Sequence, residues 1–299
     1  MSSPIALRGI YVPLITPFTA AGDVALDALE GLANDYLDRG AAGLVPMGTT
    51  GESPAVDAAE REAIIEVCAR VAAERDAHLI VGAGTNSTRT TVAQVEALRN
   101  VPAATAALVV VPYYVRPSQA GIVEHFRAVA AASPVPVVIY NIAYRTGRNF
   151  EPGPLLEVAA LANVAGVKQA ASGLDVDTLE ILAGAPAGFS VLGGEDPFLF
   201  PVLLMGGTGG ITASAHVCTE RFVSMVECGV AGKVDEGRRH AEALLSVTQA
   251  LFVEPNPAVT KGVLHAQGRI PTPDLRLPMT AASSASVDAA LAAIEAAGG

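Results

Sequence analysis

The sequence predicts an α/β protein of the (β/α)8, or TIM-barrel, class with a C-terminal helical extension, and three observations carry that expectation. Eight short runs rich in Val, Ile and Leu recur along the chain, their apolar positions are continuous, and amphipathic segments separate them. Continuous apolar runs suit parallel strands covered on both faces. Eight such strands alternating with helices match the number that closes a barrel. An open doubly wound sheet would want a glycine fingerprint after its first strand, and "ITPFTAAGD" has none. A solenoid would repeat a sequence, whereas these segments share only spacing.

In chain order, the first run is "GIYVPLIT" (9–16), followed by the helical period of "LDALEGLANDYLDRG" with Asp27 as its expected N-cap. The second, "AGLVPMGTT" (42–50), leads into "DAAEREAIIEVCARVAAER", where Asp57 is the expected cap. Then come "HLIVGAGT" (78–85), "AALVVVPYY" (106–114), "VPVVIYN" (135–141), "VAGVKQA" (164–170), "FSVLGGE" (189–195) and "GGTGGITA" (206–213). After about residue 215 strands give way to helical segments such as "ERFVSMVECGVAGKVDEGRRHAEALLSVTQALF". The expected organisation is therefore a barrel carrying the active site over 1–220 and a helical extension over 221–299.

Composition narrows the function. With 299 residues, 51% of them hydrophobic, a sizeable core is available. A net charge of −11 without any basic cluster argues against nucleic acid and anionic membranes. Cys68, Cys218 and Cys228 form no CxxC pair and leave an odd count, which points to a reducing cytoplasm. "MSSPIALRGIYVPLITPF" lacks the build of a signal peptide, and the densest apolar run, "AALVVVPYYV", is about half the length a membrane helix needs. The five histidines make no HExxH or comparable spacing, so no metal site is expected.

Barrel enzymes keep their catalytic groups at the C-terminal ends of the strands. There stand Thr49 and Thr50 after run two, Tyr113 and Tyr114 after run four, Tyr140 and Asn141 after run five, and Lys168 at run six. Lys168 is notable because only three lysines, with Lys233 and Lys261, occur among 19 basic side chains, and this one follows an apolar run. A desolvated ammonium has a lowered pKa, and its neutral amine attacks carbonyls to form a Schiff base, an electron sink that needs no metal or organic cofactor. Tyrosine and threonine hydroxyls both donate and accept, so they suit a proton relay beside the nitrogen. The plainer alternative is a lysine that snorkels to solvent. The "GTTGES" turn either closes tightly on its glycines, with Glu52 in the first turn of a helix, or offers backbone amides and hydroxyls to a carboxylate. Arg145 of "YRTGRNF" is either solvated or an anion clamp. "GGTGGIT" marks either close backbone packing or a phosphate site.

These motifs resemble the pyruvate-dependent class I aldolase family that includes the dipicolinate-pathway synthases and the neuraminate lyases. The resemblance runs almost end to end, through "GTTGES", "GAGTNST", "PYYVRPSQAGIVEHF", "YNIAYRTG", "GVKQAASG", "GGTGGIT", "FVEPNPAVTK" and "LRLPMT". It implies that Lys168 forms the Schiff base with pyruvate, that Tyr140 passes protons to and from the imine, and that Thr49 and Tyr114 complete the relay, Tyr114 reaching across from a neighbouring subunit. It further implies that Thr50, Gly194 and Ile211 bind substrate and that Arg145 grips the carboxylate of L-aspartate 4-semialdehyde. The implied product is 4-hydroxy-tetrahydrodipicolinate, and the implied assembly a homo-oligomer, a dimer of dimers. A sugar-acid aldolase or dehydratase of the same chemistry, and a keto-acid-binding barrel without turnover, are the competing readings.

The chain departs from the family pattern at Ala143, Tyr144, Gln169 and Val115, and Tyr144 is expected to narrow the second-substrate pocket. Ala58, Arg61 and Thr90 stand where lysine-inhibited members carry polar or acidic ligands of the effector, so weak or absent inhibition by lysine is expected.

Overall fold

The computed structural model describes residues 5–171 and 173–298; Ser172 of the "KQAASG" stretch, residues 1–4 and Gly299 lie outside the described residues. The eight apolar runs become strands β1 (Gly9–Val12), β2 (Gly43–Leu44), β3 (His78–Gly82), β4 (Ala104–Val110), β5 (Val137–Asn141), β6 (Val164–Gln169), β7 (Ser190–Gly193) and β8 (Gly209–Ile211). They pair in chain order and in parallel, and β8 closes on β1 through Gly9 opposite Gly209 and Tyr11 opposite Ile211. The expected (β/α)8 barrel is the observed one.

Successive side chains of a strand point to opposite faces. One set, including Tyr11, Ile80, Leu108, Val138, Tyr140, Leu192 and Ile211, fills the barrel interior. The alternate set, including Val12, Val81, Val109, Ile139, Val167 and Val191, belongs to the larger core beneath the helices. This division is why every strand reads as continuously apolar. It also aims Lys168, next to outward-packed Val167, into the barrel mouth beside Tyr140. The glycines of "GGTGGIT" answer to packing: a Cβ on Gly209 would lie 2.2 Å from the Gly9 carbonyl oxygen, and one on Gly210 would lie 2.9 Å from Leu199 Cδ1.

The outer layer contains α1 (Leu26–Asp38), α2 (Ala58–Glu74), α3 (Thr88–Glu96), α4 (Gln119–Ala132), α5 (Ala143–Thr146), α6 (Pro152–Ala159), α7 (Val176–Gly184), α8 (Leu199–Leu204) and α9 (Thr219–Val230). Asp57 caps α2 as expected: its side chain accepts from the Glu60 amide at 2.9 Å while its own amide donates to the Glu60 carboxylate at 3.0 Å. Asp27 does not cap α1. That helix starts at Leu26 with Ala25 at the cap, and Asp27 sits in the first turn, where a negative charge meets the positive end of the helix dipole.

Helices α10 (Val234–Leu251), α11 (Ala258–Ala266) and α12 (Ser284–Ala296) follow the barrel. The expected division at residue 220 falls at the start of α9, a helix that packs on β1 and β8 and so belongs to the outer ring. We therefore place the start of the extension after Val230.

Candidate active site

β5 and β6 run side by side, with Tyr140 registered against Lys168. The Lys168 ammonium lies 4.3 Å from the centre of the Tyr140 ring. Both side chains are buried, 7% exposed for the lysine and 6% for the tyrosine. Burial pulls the Lys168 pKa down to about 8, with a smaller push in the same direction from the Arg145 guanidinium; the Asp196 and Glu195 carboxylates oppose it. Burial pushes the Tyr140 hydroxyl up to about 12, and the Thr49 side chain and Arg145 hold it back. The lysine does not snorkel. Its amine ends in a narrow cleft whose wall also includes Thr49, Thr50, Arg145, Gly194 and Ile211.

Each neighbour has a structural reason for its place. Gly194 follows β7, and a Cβ there would lie 3.0 Å from both Cγ and Cε of Lys168, so glycine leaves the lysine its extended path. Thr50 is buried, and its hydroxyl accepts a hydrogen bond from Asn256 Nδ2 at 3.0 Å. Arg145 sits in the last turn of α5, its guanidinium 5.4 Å from the Tyr144 ring centre, and Tyr144 lines the cleft as well. Gln169 takes no part. It points outward, accepting from Asn141 Nδ2 at 3.0 Å and donating to the Thr178 hydroxyl at 3.3 Å.

Tyr114 does not reach the cleft of its own chain. It stands 85% exposed with a left-handed φ of 70°, beside exposed Tyr113 and Val115. The other seven expected site residues converge.

Several groups escaped the sequence reading. Glu195 and Asp196 follow β7 at the cleft, and burial raises both carboxyls, Glu195 to about 7. Asp196 is held by the Ser214 amide, which donates to it at 2.7 Å. Asn256 comes from the extension to touch Thr50. Glu52, expected in the first turn of a helix, stands one place earlier as the cap of a short 3-10 helix (Ser53–Ala55), with a left-handed φ of 52°, and it also forms a buried ion pair with Lys261 of α11 at 2.8 Å. The run "GGED" and the lone lysine of "PAVTKGV" were the available signals.

Comparisons with known proteins identify the family and the barrel. The model of the Dihydrodipicolinate synthetase family matches residues 6–297. The 4-hydroxy-tetrahydrodipicolinate synthase of Moorella thermoacetica is 40% identical over 92% of each chain. The dihydrodipicolinate synthase of Thermotoga maritima superposes with a TM-score of 0.94 at 32% identity, covering 98% of this chain and 99% of that one. A monomeric dihydrodipicolinate synthase variant gives the same TM-score and identity over 98% and 97%. With the family's model matching from before β1 to the end of α12, and relatives this similar in sequence and in barrel, the chain belongs to the Dihydrodipicolinate synthetase family.

Proposed function

We propose that this protein is a 4-hydroxy-tetrahydrodipicolinate synthase, condensing pyruvate with L-aspartate 4-semialdehyde in lysine and diaminopimelate biosynthesis. The observation that carries the reading is the buried amine of Lys168, held against Tyr140 at the barrel mouth with its pKa brought down to about 8. The family assignment and the synthase relatives favour this acceptor over a sugar-derived keto acid.

Neutral Lys168 attacks C2 of pyruvate, and loss of water leaves a protonated imine. A C3 proton departs, the electron pair moves toward nitrogen, and the resulting enamine carbon attacks the aldehyde carbon of the semialdehyde. The semialdehyde's amine then adds to the imine carbon and expels Lys168, closing the ring and regenerating the free lysine. Tyr140 and Thr49, which line the cleft with Lys168, move the protons in this reading. In the same reading Thr50 and its turn take the pyruvate carboxylate, and Arg145 takes that of the semialdehyde, which a guanidinium binds bidentately. The imine is itself the electron sink, so the cycle uses no separate cofactor.

Borohydride reduction with pyruvate should leave a pyruvyl adduct on Lys168, read by peptide mass analysis. Arg145→Ala should still trap pyruvate yet lose semialdehyde turnover at least about a hundredfold. An adduct on another residue contradicts the mechanism; full turnover by the variant contradicts the acceptor.

The exposed Tyr114 corner supports at least a dimer, in which a second copy covers it and Tyr114 completes the partner's relay, and we propose that two such dimers pair. Sedimentation during assay should find activity only in a dimer or larger species, and a fully active monomer would overturn this. No helix among the described residues is long and apolar enough to cross a membrane, and the free thiols of Cys68, Cys218 and Cys228 are buried, which suits a cytoplasmic protein.

A further inference from the structure

The α9–α10 hairpin brings together three ligating side chains that the proposed reaction leaves unused. Cys228 stands near the C-terminal end of α9, and Glu236 and His240 lie one turn apart, at i and i+4, in the first turns of α10. One ligand atom from each, the thiol sulfur, a carboxylate oxygen and an imidazole nitrogen, lie within 4.8 Å of one another. This is the one such cluster among the described residues. Gly237 makes the approach possible: a Cβ on it would lie 3.1 Å from Cys228 Cβ and 2.3 Å from Phe200 Cε2, so the two helices close over a glycine. The spacing, C-x7-E-x3-H, matches none of the usual ligand motifs and becomes a cluster only once the hairpin folds.

Two features separate this cluster from a casual meeting of polar groups. His240 Nδ1 is buried and has no hydrogen-bond partner. An orphaned ring nitrogen is costly, and an ion is one of the few groups that answers it. Cys228 is only 5% exposed, yet its sulfur shares the site with a carboxylate, which disfavours a thiolate unless a cation lies between them. Lys233 approaches Glu236 only at 3.9 Å with both side chains exposed, a pairing too weak to hold the carboxylate against a divalent metal. A soft thiolate, an imidazole and one carboxylate make a donor set for zinc, whereas magnesium and calcium take oxygen. Tetrahedral zinc, with bonds of about 2.0–2.3 Å, sets its ligands roughly 3.5 Å apart, so small side-chain rotations close the site.

We propose that Cys228, Glu236 and His240 form a zinc site, with water as the fourth ligand, that staples the outer ring to the C-terminal extension across the α9–α10 turn. None of the three lines the Lys168 cleft, so the ion takes no part in the Schiff-base chemistry, and the inference does not rest on the proposed reaction.

The untagged protein, stripped of metal, is titrated with Zn²⁺ against a chromophoric chelator, and in parallel with Co²⁺, Mg²⁺ and Ca²⁺. One equivalent of zinc should bind, Co²⁺ should give the charge-transfer absorption of a cobalt–thiolate bond, and excess Mg²⁺ or Ca²⁺ should leave zinc affinity within about twofold. Cys228→Ser should abolish the cobalt–thiolate band, and His240→Gln and Glu236→Gln should each weaken zinc at least about tenfold. Glu236→Gln changes an exposed position, so its metal-free Tm should match that of the parent protein, and all three variants should keep kcat and KM for pyruvate within about twofold. Zinc at about a hundred times its Kd should raise Tm by about 5 °C or more. No zinc uptake, equal affinity in His240→Gln and Glu236→Gln, or a cobalt complex without a thiolate band would overturn the site. Displacement of zinc by equimolar magnesium or calcium would overturn the metal assignment, and an unchanged Tm at saturating zinc would overturn the staple.

Discussion

Lys168→Arg should reduce synthase turnover at least about ten-thousandfold and abolish borohydride trapping of pyruvate. The substitution keeps a positive charge in the cleft but removes the possibility of a neutral nitrogen, because a guanidinium does not deprotonate in proteins. Loss of the chemistry without loss of the charge separates a nucleophile from an electrostatic anchor. The wild-type pH profile supplies the second half of the argument. With its pKa lowered from the usual 10.5 to about 8, Lys168 offers on the order of a hundredfold more neutral amine at pH 7 than an ordinary lysine. The reactive form is the deprotonated one, so the trapping rate should climb as pH rises through 8, about tenfold between pH 7 and pH 9. A rate flat across that interval would show that the amine is not what titrates. The charges around it explain why the value does not fall further: burial alone would carry it lower, and Asp196 and Glu195 hold it up.

The barrel was legible because burial on both faces writes itself into every strand as an unbroken apolar run. Strand ends were less legible. The second run reads as strand to residue 50, yet β2 ends at Leu44, because Val45 and Met47 stay apolar as buried residues of the barrel mouth, with Met47 at a φ of 62°. In the site, Lys168 and Tyr140 stood out as polar residues ending apolar runs. Glu195, Asp196 and Asn256 did not, since their partners are remote in sequence and one polar contact leaves no period. Lys261 is the instructive omission. The scarcity of lysine that singled out Lys168 applied equally to it, and it is the more deeply buried of the two, 0% exposed against 7%.

Lys261→Met should therefore be the most destabilising single substitution outside the catalytic set, costing about 3–5 kcal/mol, which corresponds to a fall in Tm of roughly 6–20 °C. The Lys261 ammonium meets Glu52 Oε1 at 2.8 Å, donates to the Thr16 carbonyl at 2.9 Å and lies 4.1 Å from the centre of the Phe18 ring. Glu52 Oε2 accepts from the Arg276 amide at 3.0 Å. Removing the lysine strands a carboxylate whose side chain is 2% exposed, and that desolvated charge dominates the cost. The double substitution Lys261→Met with Glu52→Gln removes the stranded charge, so it should recover a good part of the lost Tm; a double-mutant cycle measures the coupling. Activity should not recover with it. Glu52 closes the "GTTGES" turn, its amide donating to the Thr49 carbonyl at 3.1 Å while its backbone is held left-handed, a conformation costing about 1 kcal/mol or more without support. Releasing it loosens the segment that carries Thr49 and Thr50. The folded double variant should keep pyruvate trapping but lose at least about tenfold in kcat/KM. Wild-type activity in that variant would make the ion pair a structural staple with no hold on the catalytic turn, whereas an unchanged Tm in Lys261→Met would mean that Glu52 is not buried as an ion.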